Sequence, residues 1–286
     1  MMSVVVIFRR ITLGIACIAV VAAAFACHRA ARDAVFSIYF LDVGQGDAIY
    51  VRTPSGHDML VDGGKSVAVL RRLSEVMPLN DRFIDVMVET HPDADHIGGL
   101  PPVLDRYGVG VFLEPGIESD NSIDNEIHRI LREKSIPDVL ARRGMTVDFG
   151  DGAAFDVLYP NRDVSHLPDT NDASVVGRMR CGSTSAMLTG DAPQSVENLL
   201  VSLDGPRLKS DMLKAGHHGS RTSSGEPFVR AVDPAYAVIS VGKGNTYHHP
   251  HQEVVDLFRH LDIKTLRTDE VGTIGFSSDG RAFFRK

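Results

Sequence analysis

Tryptophan is absent from the 286 residues, and cysteine occurs only at Cys17, Cys27 and Cys181. Three thiols cannot form a disulfide framework, so a hydrophobic core has to hold the chain together. Cys181 reads as a small strand residue, with Cys27 as its one conceivable partner. Positive charge is also short, with 30 Lys and Arg against 37 Asp and Glu, a formal charge of −7. Coating nucleic acid non-specifically requires a broad basic surface that displaces counterions, so that class is excluded, although a local basic groove is not. Hydrophobic residues at 43% and charged residues at 23% exclude a disordered chain and a multi-span membrane protein. No internal repeat is visible, and no linker rich in Pro, Gly or Ser divides residues 34–286, which read as one α/β domain.

One long apolar run is present, at the start. Arg9 and Arg10 precede residues 11–26, which carry no charge and close on Ala24-Phe25-Ala26. A basic segment, a short apolar segment and small residues at the cleavage positions describe an export signal over residues 1–33. Cys27 follows at once, as the acylated cysteine of a lipoprotein would. An uncleaved anchor is the third reading, since the run falls a little short of the ~20 residues of a membrane span. The expected location is therefore periplasmic, extracellular or membrane-attached, and the choice between soluble, lipidated and anchored forms stays open.

Strand and helix patterns alternate beyond residue 34. Strands are expected at 35–43, 48–53, 59–61, 83–89, 212–215, 236–241 and 264–267, with strand-rich stretches at 145–159 and 174–188. Helical spacing appears at 66–77, 125–132, 195–203 and 253–261. Polar loops at 91–99 and 217–224 each open at the end of an apolar strand.

The first loop carries the strongest chemical signal. His91, Asp93, Asp95 and His96 fall at i, i+2, i+4 and i+5. Alternate residues of an extended segment point the same way, so His91 and Asp93 can share one ion. Where the chain turns into a helix, Asp95 and His96 can reach a second ion. Imidazole and carboxylate are the usual ligands of catalytic divalent cations. The bland alternative is a solvated acidic turn that caps the following helix. Two further strand ends favour metal: Asp191 after Leu188-Thr189-Gly190, placed to bridge two ions, and His217-His218 beside Gly216 and Gly219.

With these residues in view, the chain resembles the metallo-β-lactamase superfamily, and within it the hydrolase (nuclease-like) domain of ComEC-type competence proteins. The matching stretches are Phe40-Leu-Asp-Val-Gly-Gln-Gly-Asp-Ala48, Leu60-Val-Asp-Gly-Gly64, Thr90-His-Pro-Asp-Ala-Asp-His-Ile-Gly-Gly-Leu100, Asn171-Asp-Ala-Ser-Val175, Leu188-Thr-Gly-Asp191, residues 214–220 and Arg267-Thr-Asp-Glu-Val-Gly-Thr273. The resemblance implies an αββα sandwich, two mixed sheets flanked by helices, with a dinuclear site at one edge. It implies His91, Asp93, Asp95, His96, Asp191 and His218 as ligands, with His218 preferred over His217.

The departures are informative. The superfamily's first loop is His-x-His-x-Asp-His, and Asp93 here replaces the second histidine. A further histidine expected on the central strand region is replaced by Asn171 and Asp172, with His166 nearby reading as a solvated loop residue. Oxygen in place of imidazole shifts preference from Zn²⁺ towards Mn²⁺ or Mg²⁺ and argues against β-lactam hydrolysis. Three carboxylates against two divalent cations leave about one positive charge, suited to a phosphodiester.

Asp62 reads as the acceptor that orients a ligand histidine, or as a plain turn residue. His217 and His249 are candidates to hold substrate or protonate a leaving group, beside Asp95 in the catalytic set. Gln45 and Asp47 read as braces of the metal loop. Lys214 and Ser220 are candidate phosphate contacts, though a solvated role is the simpler expectation for each. Arg178, Arg180, Lys214 and Arg221 could supply a few contacts to DNA. The sequence thus predicts an exported, dinuclear-metal phosphodiesterase or nuclease that needs no obligate protein partner. The rivals are a cell-surface hydrolase of a phosphorylcholine-type diester or lactone, and a metal-free sensor or assembly module.

Overall fold

The computed structural model describes residues 35–286; the leader expected at 1–33 lies outside the described residues. The first strands are β1 (Phe36–Phe40), β2 (Ile49–Arg52), β3 (Asp58–Val61), β4 (Phe83–Val88), β5 (Gly108–Glu114) and β6 (Asp138–Leu140). A second series follows: β7 (Thr146–Asp148), β8 (Ala153–Tyr159), β9 (Val176–Cys181), β10 (Thr184–Leu188), β11 (Met212–Lys214), β12 (Tyr236–Ile239) and β13 (Lys264–Arg267). The chain then returns to the first series with β14 (Ile274–Ser278) and β15 (Phe283–Arg285). The first sheet has eight strands in the order β15-β14-β1-β2-β3-β4-β5-β6, and the second has seven in the order β13-β12-β11-β10-β9-β8-β7.

Alternation drives the packing. Phe36, Ile38 and Phe40 of β1 and Ala186 and Leu188 of β10 face one another in the core between the sheets. The opposite faces are covered by helices. Outside the first sheet lie α1 (Ala68–Val76), α2 (Ala94–Ile97), α3 (Leu100–Arg106) and α4 (Ser122–Lys134). Outside the second lie α5 (Gln194–Asp204), α6 (Glu226–Val232) and α7 (Gln252–His260), and a single turn, α8 (Thr268–Val271), follows β13. The helix stripes fit these places: Val69 and Leu73 of α1 and Ile127, Ile130 and Leu131 of α4 are buried with Phe112 of β5. This is an α/β fold of two mixed sheets between helix layers. No helix among the described residues is long and apolar enough to cross a membrane.

Several elements differ from the sequence reading. The stretch 91–99, expected as a loop, contains the turn α2, and α3 begins directly after it at Leu100, with a proline among its first residues, where a missing N–H costs nothing. The helix expected at 125–132 runs over Ser122–Lys134, because Asn121 caps it by accepting from Ile123 N–H. β5, β6, β14, β15 and α6 were not anticipated; Gly108 and Gly110 interrupt the apolar pattern of β5, and Gly275 that of β14.

Topology positions the functional end. β3, β4, β5 and β6 are parallel, as are β10, β11, β12 and β13, and loops leave their C-terminal ends at the same end of the sandwich. The loop after β11 is pinned by buried Glu197 of α5, whose carboxylate accepts from Ser224 N–H at 2.6 Å and Gly225 N–H at 2.8 Å. Burial pushes this carboxyl up from 4.5 to about 7 against the pull of the two amides. A folded-state value above the unfolded one means its stabilisation is complete below pH 4.5 and fades as pH rises through about 7. Relative to Glu197→Gln, the wild type should lose about 2–3 kcal/mol between about pH 5 and about pH 8 in urea unfolding. Equal pH slopes for the two proteins would contradict this assignment.

Candidate metal centre

Four loops bring the ligand-type residues together. The loop from β1 to β2 carries Asp47, the segment after β4 carries His91 to His96, the end of β10 carries Asp191, and the turn after β11 carries His217 and His218. Close approach depends on glycine at one point in particular: a Cβ on Gly46 would lie 1.9 Å from the Asp95 carbonyl oxygen. That approach lets Asp47 N–H donate to the same oxygen at 3.3 Å. Asp62, His217 and His218 adopt left-handed backbone at φ 58°, 48° and 54°. Such conformations cost about 1 kcal/mol or more for a side chain with a Cβ, and the surrounding packing holds them.

Asp191, 3% exposed, is the hub. Its Oδ2 lies 3.3 Å from His96 Nε2, 3.5 Å from His218 Nε2 and 3.6 Å from His217 Nε2. His218 Nε2 is also 3.3 Å from Asp95 Oδ2. His91 Nε2 lies 3.7 Å from Asp93 Oδ2. Asp47, His96, Asp191 and His218 form one buried group whose ligand atoms lie within 4.8 Å of one another.

Each buried imidazole is aimed by its other nitrogen. His96 Nδ1 lies 2.8 Å from Asp62 Oδ2, His218 Nδ1 donates to the Ser240 carbonyl at 3.0 Å, and His91 Nδ1 lies 3.0 Å from the Thr90 hydroxyl. Thr90 is itself tied to Asp62, through its N–H at 2.8 Å and its hydroxyl at 2.7 Å. The Nε2 atoms of His91, His96 and His218 and Oδ1 of Asp191 are left buried without a hydrogen-bond partner among the described residues. Buried polar atoms in proteins are almost always satisfied, so orphaned lone pairs converging on one place fit a metal ion that completes them.

The electrostatics agree. Burial and the neighbouring His96 push His91 down to about 3, which leaves its imidazole neutral. Burial opposes charge on His218, yet Asp191, Asp47 and Asp95 push it up to about 9. His96 is likewise raised by Asp191 and Asp62 against its burial. Burial would raise Asp95 and Asp191 too, but the histidines around them hold both well below the usual carboxylate range. Carboxylates that draw protons onto adjacent imidazoles mark a site short of positive charge, which a divalent cation supplies as it displaces those protons.

The other expected residues are distributed unevenly. Lys214, expected to be solvated, is fully buried; its Nζ lies 2.5 Å from Asp47 Oδ2 and 3.9 Å from Asp191 Oδ1. The Asp47 carboxyl, which burial would raise, is brought down to about 2 by Lys214 and His218. Asp47 therefore braces the centre through this ion pair, whereas Gln45 accepts from Gly242 N–H on the loop before His249. Ser220, also expected to be solvated, is buried and bonded to Thr222. Asn171 makes no side-chain hydrogen bond to the metal loop, while its neighbour Thr170 donates to Asp93 Oδ1 at 2.6 Å. His166 is 78% exposed beside Glu118. Arg178 and Arg180 pair with Asp156, and Arg221 alone of the expected cations stays exposed beside the histidine turn, 3.7 Å from Glu253.

His249 joins the rim. Its ring stands 5.5 Å from that of His217 and 4.8 Å from that of His251, while exposed Tyr247 stacks beside it at 5.8 Å. Asn245 holds its backbone by donating to the His249 carbonyl and accepting from its N–H. Burial and the adjacent His217 and His218 push the His249 imidazole down to about 4, so it presents neutral hydrogen-bonding groups at neutral pH. Thr170, Ser240 and Asn245 carry no sequence signal, since each acts on a partner that folding places beside it.

Replacing Asp62 by alanine strips His96 Nδ1 of its acceptor. Metal affinity is expected to fall about 10–100-fold in a chelator-competition titration, with the circular dichroism spectrum unchanged. An unaltered affinity would remove Asp62 from the centre.

A family profile described as the Metallo-beta-lactamase superfamily matches residues 41–243. ComE operon protein 3 of Bacillus subtilis is 32% identical over 258 residues, covering 84% of this chain and 33% of that protein. Competence protein ComA of Neisseria gonorrhoeae is 33% identical over 235 residues, covering 82% of this chain and 31% of that protein. The chain thus spans about a third of the length of these relatives. Among solved structures, the metallo-beta-lactamase fold protein YhfI of Bacillus subtilis superposes with a TM-score of 0.55 at 13% identity, covering 81% of this chain and 95% of that one. Fold, buried His/Asp cluster and profile agree, and the chain belongs to the metallo-beta-lactamase superfamily.

Proposed function

We propose that the chain is an exported hydrolase of phosphodiester bonds that works with two divalent cations and acts on single-stranded DNA or a related nucleotide chain. The observation that carries the reading is the set of orphaned Nε2 atoms on His91, His96 and His218 around the carboxylates of Asp93, Asp95 and Asp191. One ion is assigned to Asp95, His96, His218 and Asp191, and the other to His91, Asp93 and Asp191. The second set is richer in oxygen, which supports Mn²⁺ over Zn²⁺. The same buried, aimed lone pairs speak against a metal-free sensor. Bound cations supply a water of lowered pKa and positive charge opposite the phosphoryl oxygens.

The chain's own groups do the rest. Asp191 holds both ligand sets in register, and Lys214 with Asp47 fixes the floor beneath them. His217, on the open side, and the neutral N–H of His249 donate to non-bridging phosphate oxygens. Arg221 adds one exposed cation, and Tyr247 offers a face on which a base can stack. Because Lys214, Arg178 and Arg180 are engaged elsewhere, contact is limited to a few nucleotides rather than a long track. Similarity to competence proteins supports the DNA substrate, and the segment expected at 1–33 supports export.

The test is an assay of the purified chain with Mn²⁺ on single- and double-stranded DNA, RNA, a small chromogenic diester and nitrocefin. Mn²⁺-stimulated diester cleavage is expected, removed by chelator and lowered at least about 10³-fold by Asp95→Ala. Nitrocefin turnover above diester turnover would overturn the substrate class. Tyr247→Ala is expected to raise KM for single-stranded DNA by about five-fold or more, since one base stack contributes about 1–3 kcal/mol, while leaving the small diester unchanged. Cleavage of the small diester without any cleavage of DNA would instead favour a cell-surface small-ester hydrolase.

A further inference from the structure

A second cluster of ligand-type side chains lies outside the catalytic end, between the first sheet and α4. Val88 and Leu113 are register partners on β4 and β5 and face the core between the sheets. The pleat turns the next residue of each strand, Glu89 and Glu114, to the other face, where α4 packs. His128 of α4, one turn beyond Asp124, meets Glu114 there, and Asp138 opens β6 alongside. His128 Nε2 lies 3.4 Å from Asp124 Oδ1 and 3.9 Å from Glu114 Oε2, while its Nδ1 lies 3.2 Å from Asp138 Oδ2. Ligand atoms ~2.1 Å from an octahedral ion sit about 3 Å apart when adjacent and about 4 Å when opposite.

Charge does not close here. Glu114, Asp124 and Asp138 face one imidazole, and buried Glu89 joins them from the end of β4, where Asp124, Glu114 and Asp62 all act on it. Glu89 is 1% exposed with Oε2 unpartnered among the described residues, and Asp124 is 6% exposed with Oδ1 in the same state. A protonated His128 can reach Asp138 through Nδ1 and Asp124 Oδ1 through Nε2, but no donor among the described residues reaches Glu89 Oε2, and a buried carboxyl oxygen without a partner is costly. The arrangement also repeats a device of the catalytic centre: Asp138 holds His128 Nδ1 as Asp62 holds His96 Nδ1, which directs Nε2 at the carboxylates.

The geometry points to a second, separate divalent-cation site formed by Glu89, Glu114, Asp124 and His128 Nε2, with Asp138 orienting the histidine. Three carboxylates and one imidazole form a hard, oxygen-rich set that suits Mn²⁺. Partial exposure of His128 and Asp138 gives the ion a way in from solvent. The ion would tie α4 to the base of the catalytic loop, because Glu89 is two residues from His91 and Asn121, the cap of α4, donates to the Pro92 carbonyl at 2.8 Å. This inference does not depend on the substrate proposed above.

Equilibrium dialysis of the full chain against Mn²⁺, followed by metal analysis, tests it. Wild type is expected to retain one more equivalent per chain than His128→Ala or the isosteric Glu114→Gln. Asp138→Asn, at a partly exposed position, should weaken that extra equivalent about 10-fold or more. Equal Mn²⁺ content in wild type and folded Glu114→Gln overturns the proposal. Anomalous scattering from wild-type crystals at saturating Mn²⁺ gives a second reading that needs no variant. A peak within bonding distance of His128 Nε2 is expected, and its absence there overturns the site whatever density appears elsewhere.

Discussion

Burying Asp191 among imidazoles is the constraint on which the functional end depends. A carboxylate 3% exposed is unfavourable unless positive charge or hydrogen-bond donors reach it from several directions. Here His96, His217, His218 and Lys214 supply them from two separate segments. Each of those partners is fixed in turn by a group further out, such as Asp62, Ser240 or Asp47. The loops therefore cannot be placed independently: the position of one buried oxygen determines how four of them meet.

Lys214 shows how stability and function share the same residues. A fully buried ammonium against Asp47 yields little net stability, because desolvation offsets most of the Coulombic gain. What the pair provides is orientation. It joins the end of β11 in the second sheet to the β1–β2 connection in the first, so the two sheets are registered at the site itself. The left-handed backbone of His217 and His218 costs energy as well, and the neighbouring Glu197 clamp on Ser224 and Gly225 helps to hold that turn in place.

Placement also divides the histidines by chemistry. Those whose Nδ1 has an internal acceptor present a fixed Nε2 in a dry setting. Those on the rim are held differently: His217 Nδ1 lies 3.2 Å from the Thr222 hydroxyl, His251 Nδ1 accepts from Arg221 N–H at 3.0 Å, and His249 stands beside Tyr247, where a ligand can approach. One residue type thus serves two purposes within a few ångströms, separated by burial and by the partner of the second nitrogen.

The sequence alone carried the ligand types, their spacing and their positions at the ends of apolar strands, because strand alternation and loop composition are local properties. It was enough to recognise the αββα sandwich and the family from residues 40–48, 90–100 and 214–220. Tertiary structure decided which side of the 217–218 pair lies beside Asp95, that Lys214 is buried rather than solvated, and that Thr170 rather than Asn171 reaches Asp93. It also decided that Arg178 and Arg180 are engaged by Asp156, and that His128 of α4 meets Glu114 and Asp138. Those outcomes depend on partners distant in the chain, and only packing of the sheets and helices sets the distances at which charge, desolvation and hydrogen bonding act.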